Sequence, residues 1–493
     1  MFPIYTSIKQ FEGSGIKKIE KVIENFIKSP TDMASFVYGI RDQVVELGLD
    51  IIKETLEDCD QMLRESGKRR LDWQIVRKDK KSLTTSLGDV TFEKTLFKNK
   101  QTGERAYLLD RIMGFEPHEQ MTEDAVAKML TEAVQSSYRK AGEETSLTSD
   151  EVSKETVMNK LHALEFPDAA KPVEKKVVDY LYIDADEDHV SLQFKEQKGD
   201  LKKGENGRKN NCALVKLVYV YEGIEPVAPK SKRHRLVNPH YFSGIYDGED
   251  NQKLWDEVYE YLDSQYDLTR VKKIYLNADG GAWIQSGKRR IAGVIGVLEE
   301  FHLNKYLLRL TSHMLDSADE ARKELYTAIR NGTKEDFRKV VEKIDGCAQN
   351  EAVKKRVTES ANYILSNWTA AKIRLEKRDS VAGCSAEGHV SHVLSSRMSS
   401  RPMGWSRTGA DRMGHLRAYY WNKGDMLELV RYQEKEELPK AAGGENDVIS
   451  STEMLSWERQ HYNELGKYVD SITHSVSLQT KEKVWFNEQI YGL

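Results

Sequence analysis

Three acidic residues that lie far apart in the chain have the side chains of a divalent-cation site. They are Asp186, Asp279 and Glu387. Carboxylate oxygens are the ligands that Mg²⁺ and Mn²⁺ prefer, and two or three of them can hold the ions used in phosphodiester cleavage. Asp184 would point to the same face of a strand as Asp186, because side chains repeat every two residues. Either of these two aspartates could therefore be the first acid, and Asp186 is our prediction.

Strand-like segments precede the first two of these acids. Val177–Ile183 is rich in β-branched and aromatic residues and runs into the acidic cluster Asp184–Asp188. The next elements predicted are strands at His189–Phe194 and Ala213–Tyr221, a helix around Leu254–Leu262, and a strand at Lys273–Asp279. Three strands, a helix and a strand ending in an acid is the order of the ribonuclease-H fold, whose fourth strand lies beside the first. The predicted fold class is therefore α/β, with a ribonuclease-H-like catalytic domain.

The third acid lies beyond a long helical stretch. From Glu299 to about Lys377 apolar residues recur at helical spacing, for example at Val353, Val357 and Ala361. This pattern predicts an all-helical insertion in the catalytic domain. Glu387 is then expected to begin a helix on the far side of the insertion.

The segment around Glu387 is locally basic in an otherwise slightly acidic chain. Ala382–Lys423 contains six basic and two acidic residues, with aromatic residues among them. Arginine binds phosphates and aromatic rings stack on bases. The predicted DNA contacts in this segment are Arg397, Arg401, Trp405, Arg407 and Arg417. A second basic loop contains Lys230, Lys232, Arg233 and Arg235, and its role is left open.

The region in front of the catalytic domain reads as mainly helical. Helical spacing runs through residues 14–66, and alternating residues at Val90–Lys94 and Arg105–Leu109 predict a β-hairpin. A short helix at Ser137–Gly142 and another that starts near Ser153 resemble a helix-turn-helix. We expect this part to bind DNA through Ser153, Lys154 and Thr156.

The length and these composition shifts predict several structural units. With 493 residues the chain is too long for one core. The predicted regions are 1–80 (helical), 81–168 (hairpin and DNA-binding helices), 174–304 and 382–440 (catalytic), 305–381 (helical insertion) and 441–493 (helical tail).

Bulk properties exclude several other classes of protein. The formal net charge is −4, which neither favours nor excludes DNA binding. The four cysteines are far apart, which argues against a zinc ribbon or a disulfide framework. Without a secretory signal or a long apolar run, we expect a cytoplasmic protein.

Several segments resemble a known family of enzymes. The chain resembles the ISLre-type insertion-sequence transposases of bacteria and, more distantly, Mutator-type transposases. The resemblance is most specific in Leu181–Gln193, Ile274–Ile284, Phe301–Tyr306 and Gly383–Arg417. The resemblance implies an Asp-Asp-Glu triad formed by Asp186, Asp279 and Glu387. Mutator-type enzymes also carry a Cys-x-x-His pair, and here Glu299 stands at the cysteine position before His302, so we interpret His302 as a structural or DNA-contacting residue.

The resemblance also implies a cofactor and partners. It implies Mg²⁺, with Mn²⁺ as a substitute, and double-stranded DNA in the form of terminal inverted repeats and a target. It further implies a homo-oligomer on DNA and association with the bacterial nucleoid.

Two other functions are compatible with the same residues. A non-transposing nuclease of the same fold would use the same acids, whereas a catalytically silent DNA-binding protein would keep only the DNA contacts. Ser395 near His392 does not suggest a hydrolase, because the chain has no Gly-x-Ser-x-Gly turn.

Overall fold

The computed structural model describes residues 4–148, 151–193, 211–376, 381–401 and 403–437, which form a mixed α/β protein. The described residues separate into two units. One contains the residues up to Met129 together with Arg139–Ser153, and the other contains Leu130–Tyr138 and Lys154–Gln433. The predicted tail at 441–493 lies outside the described residues.

The first part of the chain is helical and is followed by a long hairpin. Its elements are α1 (Ile4–Gln10), a π-helical turn (Phe11–Gly15), α2 (Ile16–Lys28), α3 (Met33–Glu65), α4 (Gly67–Asp72), β1 (Trp73–Thr84), β2 (Asp89–Asn99), β3 (Arg105–Tyr107), α5 (Leu108–Met113), α6 (Glu123–Gln135) and α7 (Tyr138–Glu143). The helices predicted within 14–66 are confirmed. Leu63, Phe92, Phe97 and Leu109 are buried in the core between helix and sheet.

Strand β1 was absent from the sequence prediction, and the predicted boundary at residue 80 falls inside it. β1 pairs with β2 in antiparallel register from Trp73 with Asn99 to Thr84 with Asp89. Most of its residues are exposed, including Arg77, Lys78 and Lys80, and only Trp73 and Leu83 are buried. Because the middle of the strand faces solvent on both sides, it carries no apolar alternation, and the periodic signal disappears. The predicted hairpin corresponds to β2 and β3.

The second unit is built on a five-stranded mixed sheet. Its first elements are α8 (Lys154–His162), β4 (Tyr180–Ser191), β5 (Cys212–Tyr221), β6 (Gly223–Pro226), β7 (His234–Val237), β8 (His240–Gly244), a 3₁₀ turn (Gly248–Asp250), α9 (Asn251–Gln265), β9 (Lys273–Ala278), α10 (Ala282–Arg290) and β10 (Val294–Leu298). The strand order is β10-β9-β4-β5-β8. β5 is antiparallel to both β4 and β8, whereas β9 and β10 run parallel to β4. The prediction that the fourth strand lies beside the first is confirmed, because β9 pairs with β4.

One strand of this sheet was predicted as two. The acidic cluster Asp184–Asp188 does not end the first strand, and β4 continues through it to Ser191. Of the strand predicted at His189–Phe194, His189–Ser191 is the end of β4, and Phe194 lies outside the described residues. The third strand of this sheet along the chain is β8. The acids are tolerated inside the strand because side chains on neighbouring elements donate hydrogen bonds to them, as Ser399 does to Asp188 at 2.7 Å.

An apolar core between the sheet and α9 fixes the strands. Leu254, Trp255, Val258 and Leu262 lie on one face of α9 and are fully buried. They pack with residues of the central strands, among them Leu181, Val218 and Leu276. The helical face predicted from the sequence is therefore the face that contacts the sheet.

The predicted helical insertion consists of five α-helices. They are α11 (Glu300–Thr311), α12 (Ala318–Asn331), α13 (Lys334–Gly346), α14 (Glu351–Ser366) and α15 (Trp368–Glu376), with a 3₁₀ turn at Leu315–Ser317. Thr333 and Asn350 accept amide hydrogen bonds that begin α13 and α14. Phe337 and Ile364 are buried in a core formed within these helices.

The described chain ends with a helical segment that follows the insertion. Its elements are α16 (Ala386–Val390), a π-helical turn (Ser391–Ser395), α17 (Ser396–Met398), α18 (Arg407–Trp421) and α19 (Met426–Glu437). Across all described residues, no helix is both long and apolar enough for a membrane span.

Candidate active site beside three parallel strands

Three acids lie side by side at one edge of the sheet. Ala185 of β4 pairs with Ala278 of β9, and Ala278 pairs with Leu298 of β10. The next residue after each of these three is acidic: Asp186, Asp279 and Glu299. Because neighbouring strands are about 4.8 Å apart, the register alone makes these acids neighbours in space.

Asp186 is partly buried among negative charges. The pKa of Asp186 is raised to about 7. Burial is the largest cause of the rise, and the nearby carboxylates of Glu299 and Asp279 contribute to it. The backbone amide of Glu187 opposes the rise by donating to Oδ1 at 2.8 Å, and His302 also lowers this pKa. The Asp186 carboxyl therefore exchanges its proton near physiological pH, where an ordinary aspartate is fully ionised.

Asp279 is held by a glycine turn directly after β9. Its Oδ1 atom accepts the amide of Gly281 at 2.7 Å. Gly280 has a φ of 88°, and a Cβ atom there would lie 2.4 Å from Oδ1 of Asn367. Glycine is therefore needed at position 280 both for the backbone conformation and for the close approach of Asn367, which directly follows α14.

Glu299 and His302 were not predicted as site residues. Glu299 is only 4% exposed and follows β10, and His302 lies in the first turn of α11. Nδ1 of His302 is 2.6 Å from Oε2 of Glu299, and this hydrogen bond raises the pKa of His302. The signal that could have identified Glu299 is the same one used for Asp279, namely an acid directly after a short apolar strand.

Asp184 lies beneath the site and is fully buried. Its two oxygens accept hydrogen bonds from Tyr219 Oη at 2.7 Å, Tyr221 Oη at 3.2 Å, Asn277 Nδ2 at 2.7 Å and the amide of Ser385 at 3.2 Å. Burial raises the pKa of Asp184, and these donors oppose the rise. With both oxygens occupied, Asp184 has a structural role, and Asp186 is the better candidate for a ligand.

Glu387 lies on α16, which begins next to this buried network. The helix follows Ser385, whose amide contacts Asp184, and the Glu387 side chain is exposed. Within the described residues, no hydrogen bond or ion pair joins Glu387 to Asp186 or Asp279. The structure thus brings Asp186 and Asp279 together with Glu299, and it places Glu387 on a separate helix that is anchored to the same strand.

Comparison with known proteins gives the family. The model of an uncharacterised protein family, UPF0236, matches residues 28–436. The chain belongs to the UPF0236 family. Three UPF0236 proteins of Caldanaerobacter subterraneus subsp. tengcongensis are similar to it over 414 residues, at 34%, 35% and 35% identity. The first alignment covers 84% of this chain and 83% of the relative, and the other two cover 83% of this chain and 84% and 83% of the relatives.

A search of solved structures gives a much weaker likeness. The chain is similar to the Drosophila P element transposase strand transfer complex at 13% identity, with a TM-score of 0.21. The match covers 58% of this chain and 67% of the other. A score this low carries no argument about function.

Three of the residues predicted to contact DNA are buried in this UPF0236 protein. Arg397 donates from Nε to the carbonyl of Ala133 at 3.0 Å, and Arg417 donates from Nη1 to that of Val134 at 2.6 Å. Trp405 donates to the carbonyl of Met398 at 3.0 Å, and the Arg397 guanidinium lies over its ring. All three are at most 6% exposed. Backbone carbonyls satisfy these guanidinium groups, so we assign Arg397, Trp405 and Arg417 a structural role.

The other predicted DNA contacts are accessible or partly accessible. Arg401 and Arg407 are exposed, and Arg407 forms an ion pair with Asp247. Lys154 is exposed at the start of α8, directly after the exposed Ser153, and Thr156 is partly buried. These five residues remain candidates for contact with DNA.

The structural role of Arg417 can be tested by mutation. We expect Arg417→Met to lower the free energy of unfolding by about 3 kcal/mol, because three backbone carbonyls, of which two are buried, lose a charged donor. Urea denaturation measures the change. Arg407→Met is the matched control and should cost less than about 1 kcal/mol, because its ion pair is exposed. Equal stability of the two variants would contradict the assignment.

Proposed function

We propose that this protein is a DNA transposase that cleaves and joins phosphodiester bonds with the help of divalent cations. The observation that carries the proposal is the position of Asp186 and Asp279 on two adjacent parallel strands, where each aspartate directly follows the last residue pair that the two strands share. The sheet supports it further: three antiparallel strands, a helix and two parallel strands, in the order β10-β9-β4-β5-β8, is the arrangement of a ribonuclease-H-like fold.

The residues at this edge fit a divalent cation. Three carboxylates lie close together at this edge, those of Asp186, Asp279 and Glu299. Their mutual repulsion contributes to the raised pKa of Asp186. A cation would relieve that repulsion, and oxygen ligands favour Mg²⁺ or Mn²⁺. Asp186 and Asp279 would hold it, with Glu387 as the third ligand that the family resemblance implies. Among the described residues, no group of three or more acids, histidines or cysteines is already arranged as a metal site.

When bound, two cations would activate the attacking water or 3′-hydroxyl and stabilise the leaving oxygen. The chain's own residues would orient the reacting groups. Strand pairing fixes Asp186 and Asp279, and the hydrogen bond to His302 fixes Glu299 beside them. Asp184 anchors the start of α16 and so limits where Glu387 can lie.

The relatives' names support a mobile element. One of them joins eleven numbered designations from a single organism, and another joins four. A gene carried many times in one genome is what repeated transposition produces. The terminal inverted repeats of such an element, and a target duplex, would be the DNA partners, bound by an oligomer of this chain.

Removal of the metal tests the proposal. Purified protein is mixed with a duplex that carries the inverted repeat flanking the gene, and nicking and strand joining are followed on denaturing gels. We expect both reactions with Mg²⁺ or Mn²⁺, and loss of both in excess chelator. Ca²⁺ should support assembly on the DNA without reaction, because its looser coordination positions the reacting oxygens poorly.

Isothermal titration with Mg²⁺ gives a second readout that does not depend on activity. Cleavage that continues in chelator, or a covalent protein–DNA adduct, would contradict the proposal, since the mechanism uses no protein nucleophile. Cleavage without any strand joining would indicate a nuclease of the same fold.

A further inference from the structure

A short β-hairpin projects from the sheet between its second and third strands. β6 and β7 form it, and they pair from Gly223 with Val237 to Pro226 with His234. Beyond the paired strands, the amide of Val227 donates to the carbonyl of Arg233 at 2.9 Å. The tip is closed by a turn in which the amide of Ser231 donates to the carbonyl of Ala228 at 2.9 Å. Backbone hydrogen bonds thus define the hairpin up to its tip.

The tip carries positive charge without neighbouring acids in sequence. Lys230, Lys232 and Arg233 are exposed, and within the described residues none of them forms an ion pair. No acidic residue occurs between Glu225 and Asp247. Arg235, lower on the hairpin, is paired with Glu225 at 2.7 Å. Three uncompensated cations therefore lie within four consecutive residues of a structured turn.

Local stability does not explain the lysine at the tip. Lys230 has a φ of 68°, in the left-handed region, at the turn position where glycine is favoured. A residue with a side chain is less stable than glycine in this conformation. The Lys230 side chain is exposed, so packing does not offset this cost. Neither backbone conformation nor packing favours lysine at position 230, so we interpret its positive charge as the reason for its presence.

The hairpin leaves the sheet at the end opposite the acids. β5 ends at Tyr221, which pairs with Tyr182 near the start of β4, four residues before Asp186. Four strand residues span about 13 Å, and the hairpin begins beyond that distance. A group at its tip would act on DNA away from the site of cleavage.

We infer that the hairpin tip, formed by Lys230, Lys232 and Arg233, binds the sugar-phosphate backbone of duplex DNA. The inference rests on the proposed function for its choice of DNA as the polyanion. Lysine and arginine that contact phosphates increase affinity without reading bases. The hairpin should therefore strengthen binding to element ends and to unrelated duplex DNA alike.

The salt dependence of binding tests the inference. In the full chain, K230Q/K232Q/R233Q removes three charges, and dissociation constants are measured by fluorescence anisotropy between 50 and 300 mM salt. The logarithm of the association constant falls linearly with the logarithm of the salt concentration, and each lost phosphate contact makes this slope less steep by about 0.9. We therefore expect the magnitude of the slope to decrease by roughly 1 to 3 on both duplexes. The matched control K334Q/K339Q/K355Q removes three exposed charges from α13 and α14 and should leave the slope unchanged.

A second variant separates charge from folding. Lys230→Gly removes one charge and fits the left-handed turn, so its melting temperature should not fall while the slope decreases by about 0.9. An unchanged slope in both hairpin variants, or an equal change in the control, overturns the inference. Binding of the same variants to anionic lipid vesicles is measured in parallel. If the hairpin variants lose vesicle binding while their DNA binding stays intact, the tip binds a membrane surface, and the inference is overturned as well. Binding that behaves as expected without any cleavage would instead leave the inference standing and refute the proposed function.

Discussion

Asp186→Asn is expected to lower the rate of Mg²⁺-dependent strand cleavage by about 10³-fold or more, because the variant loses a charged ligand at unchanged size. The affinity for Mg²⁺, measured by isothermal titration, should fall in parallel. DNA binding should persist, because the substitution keeps every exposed basic residue proposed to hold the duplex. Glu387→Gln should reduce cleavage to a similar extent if the family triad applies.

The same substitution should make the metal-free protein more stable at high pH. The pKa of Asp186 is about 7 in the folded protein and near 3.8 when the chain is unfolded. Between these values the folded state keeps a proton that the unfolded state loses, so the carboxyl costs stability as pH rises from about 4 to about 7. Asp186→Asn removes that cost, which is roughly 2–4 kcal/mol above pH 7.

Urea denaturation at pH 5 and pH 8 in chelator measures this effect. The gain in stability of Asp186→Asn should be larger at pH 8 than at pH 5. Glu387→Gln is the matched control, because Glu387 is exposed and its removal should change stability little at either pH. A variant that loses both activity and stability at pH 8 would show that Asp186 supports the fold instead of a cation.

Asp184→Ala is expected to lower the free energy of unfolding by about 3–5 kcal/mol. The substitution leaves four donors, from Tyr219, Tyr221, Asn277 and Ser385, without their buried acceptor. The effect should also be local. Hydrogen exchange of the Ser385 amide and of α16 should accelerate before the rest of the unit opens.

An exposed aspartate directly before β4 provides the control. Asp179 is 61% exposed and pairs with Lys272 at 2.8 Å. Asp179→Ala should cost less than about 1 kcal/mol. If Asp184→Ala were as mild as this control, the buried network would not hold α16 in place.

Two central strands of the sheet could be predicted because they are apolar and buried on both faces. Ala213–Tyr221 and Lys273–Asp279 correspond closely to β5 and β9. The continuation of β4 through Asp184 and Asp188 could not be predicted, because acids inside a strand are stable only with donors from distant residues. Ser399, the partner of Asp188, is 211 residues away.

The site itself was predicted in part for the same reason. Asp186 and Asp279 follow from strand order, since parallel neighbours end at the same edge of a sheet. Glu299 depends on the short fifth strand, β10, and on its register with β9. The burial of Arg397 and Arg417 depends on carbonyls of Ala133 and Val134, more than 260 residues away, and no local pattern reveals such partners.

The five helices from α11 to α15 leave and return to the sheet at adjacent points. Glu299 stands where they leave, and its charge acts on Cys384, which follows their return. Arg374, in the last of the five helices, donates from Nε to the carbonyl of Leu298 at 2.9 Å. Because the two ends of this inserted segment already lie together, lengthening a loop within it costs little stability. Doubling the length of a loop adds only about 0.6 kcal/mol of closure entropy. Evolution could therefore lengthen or shorten the connections between these helices, provided that Tyr363 of α14 keeps its hydrogen bond to the carbonyl of Asp279.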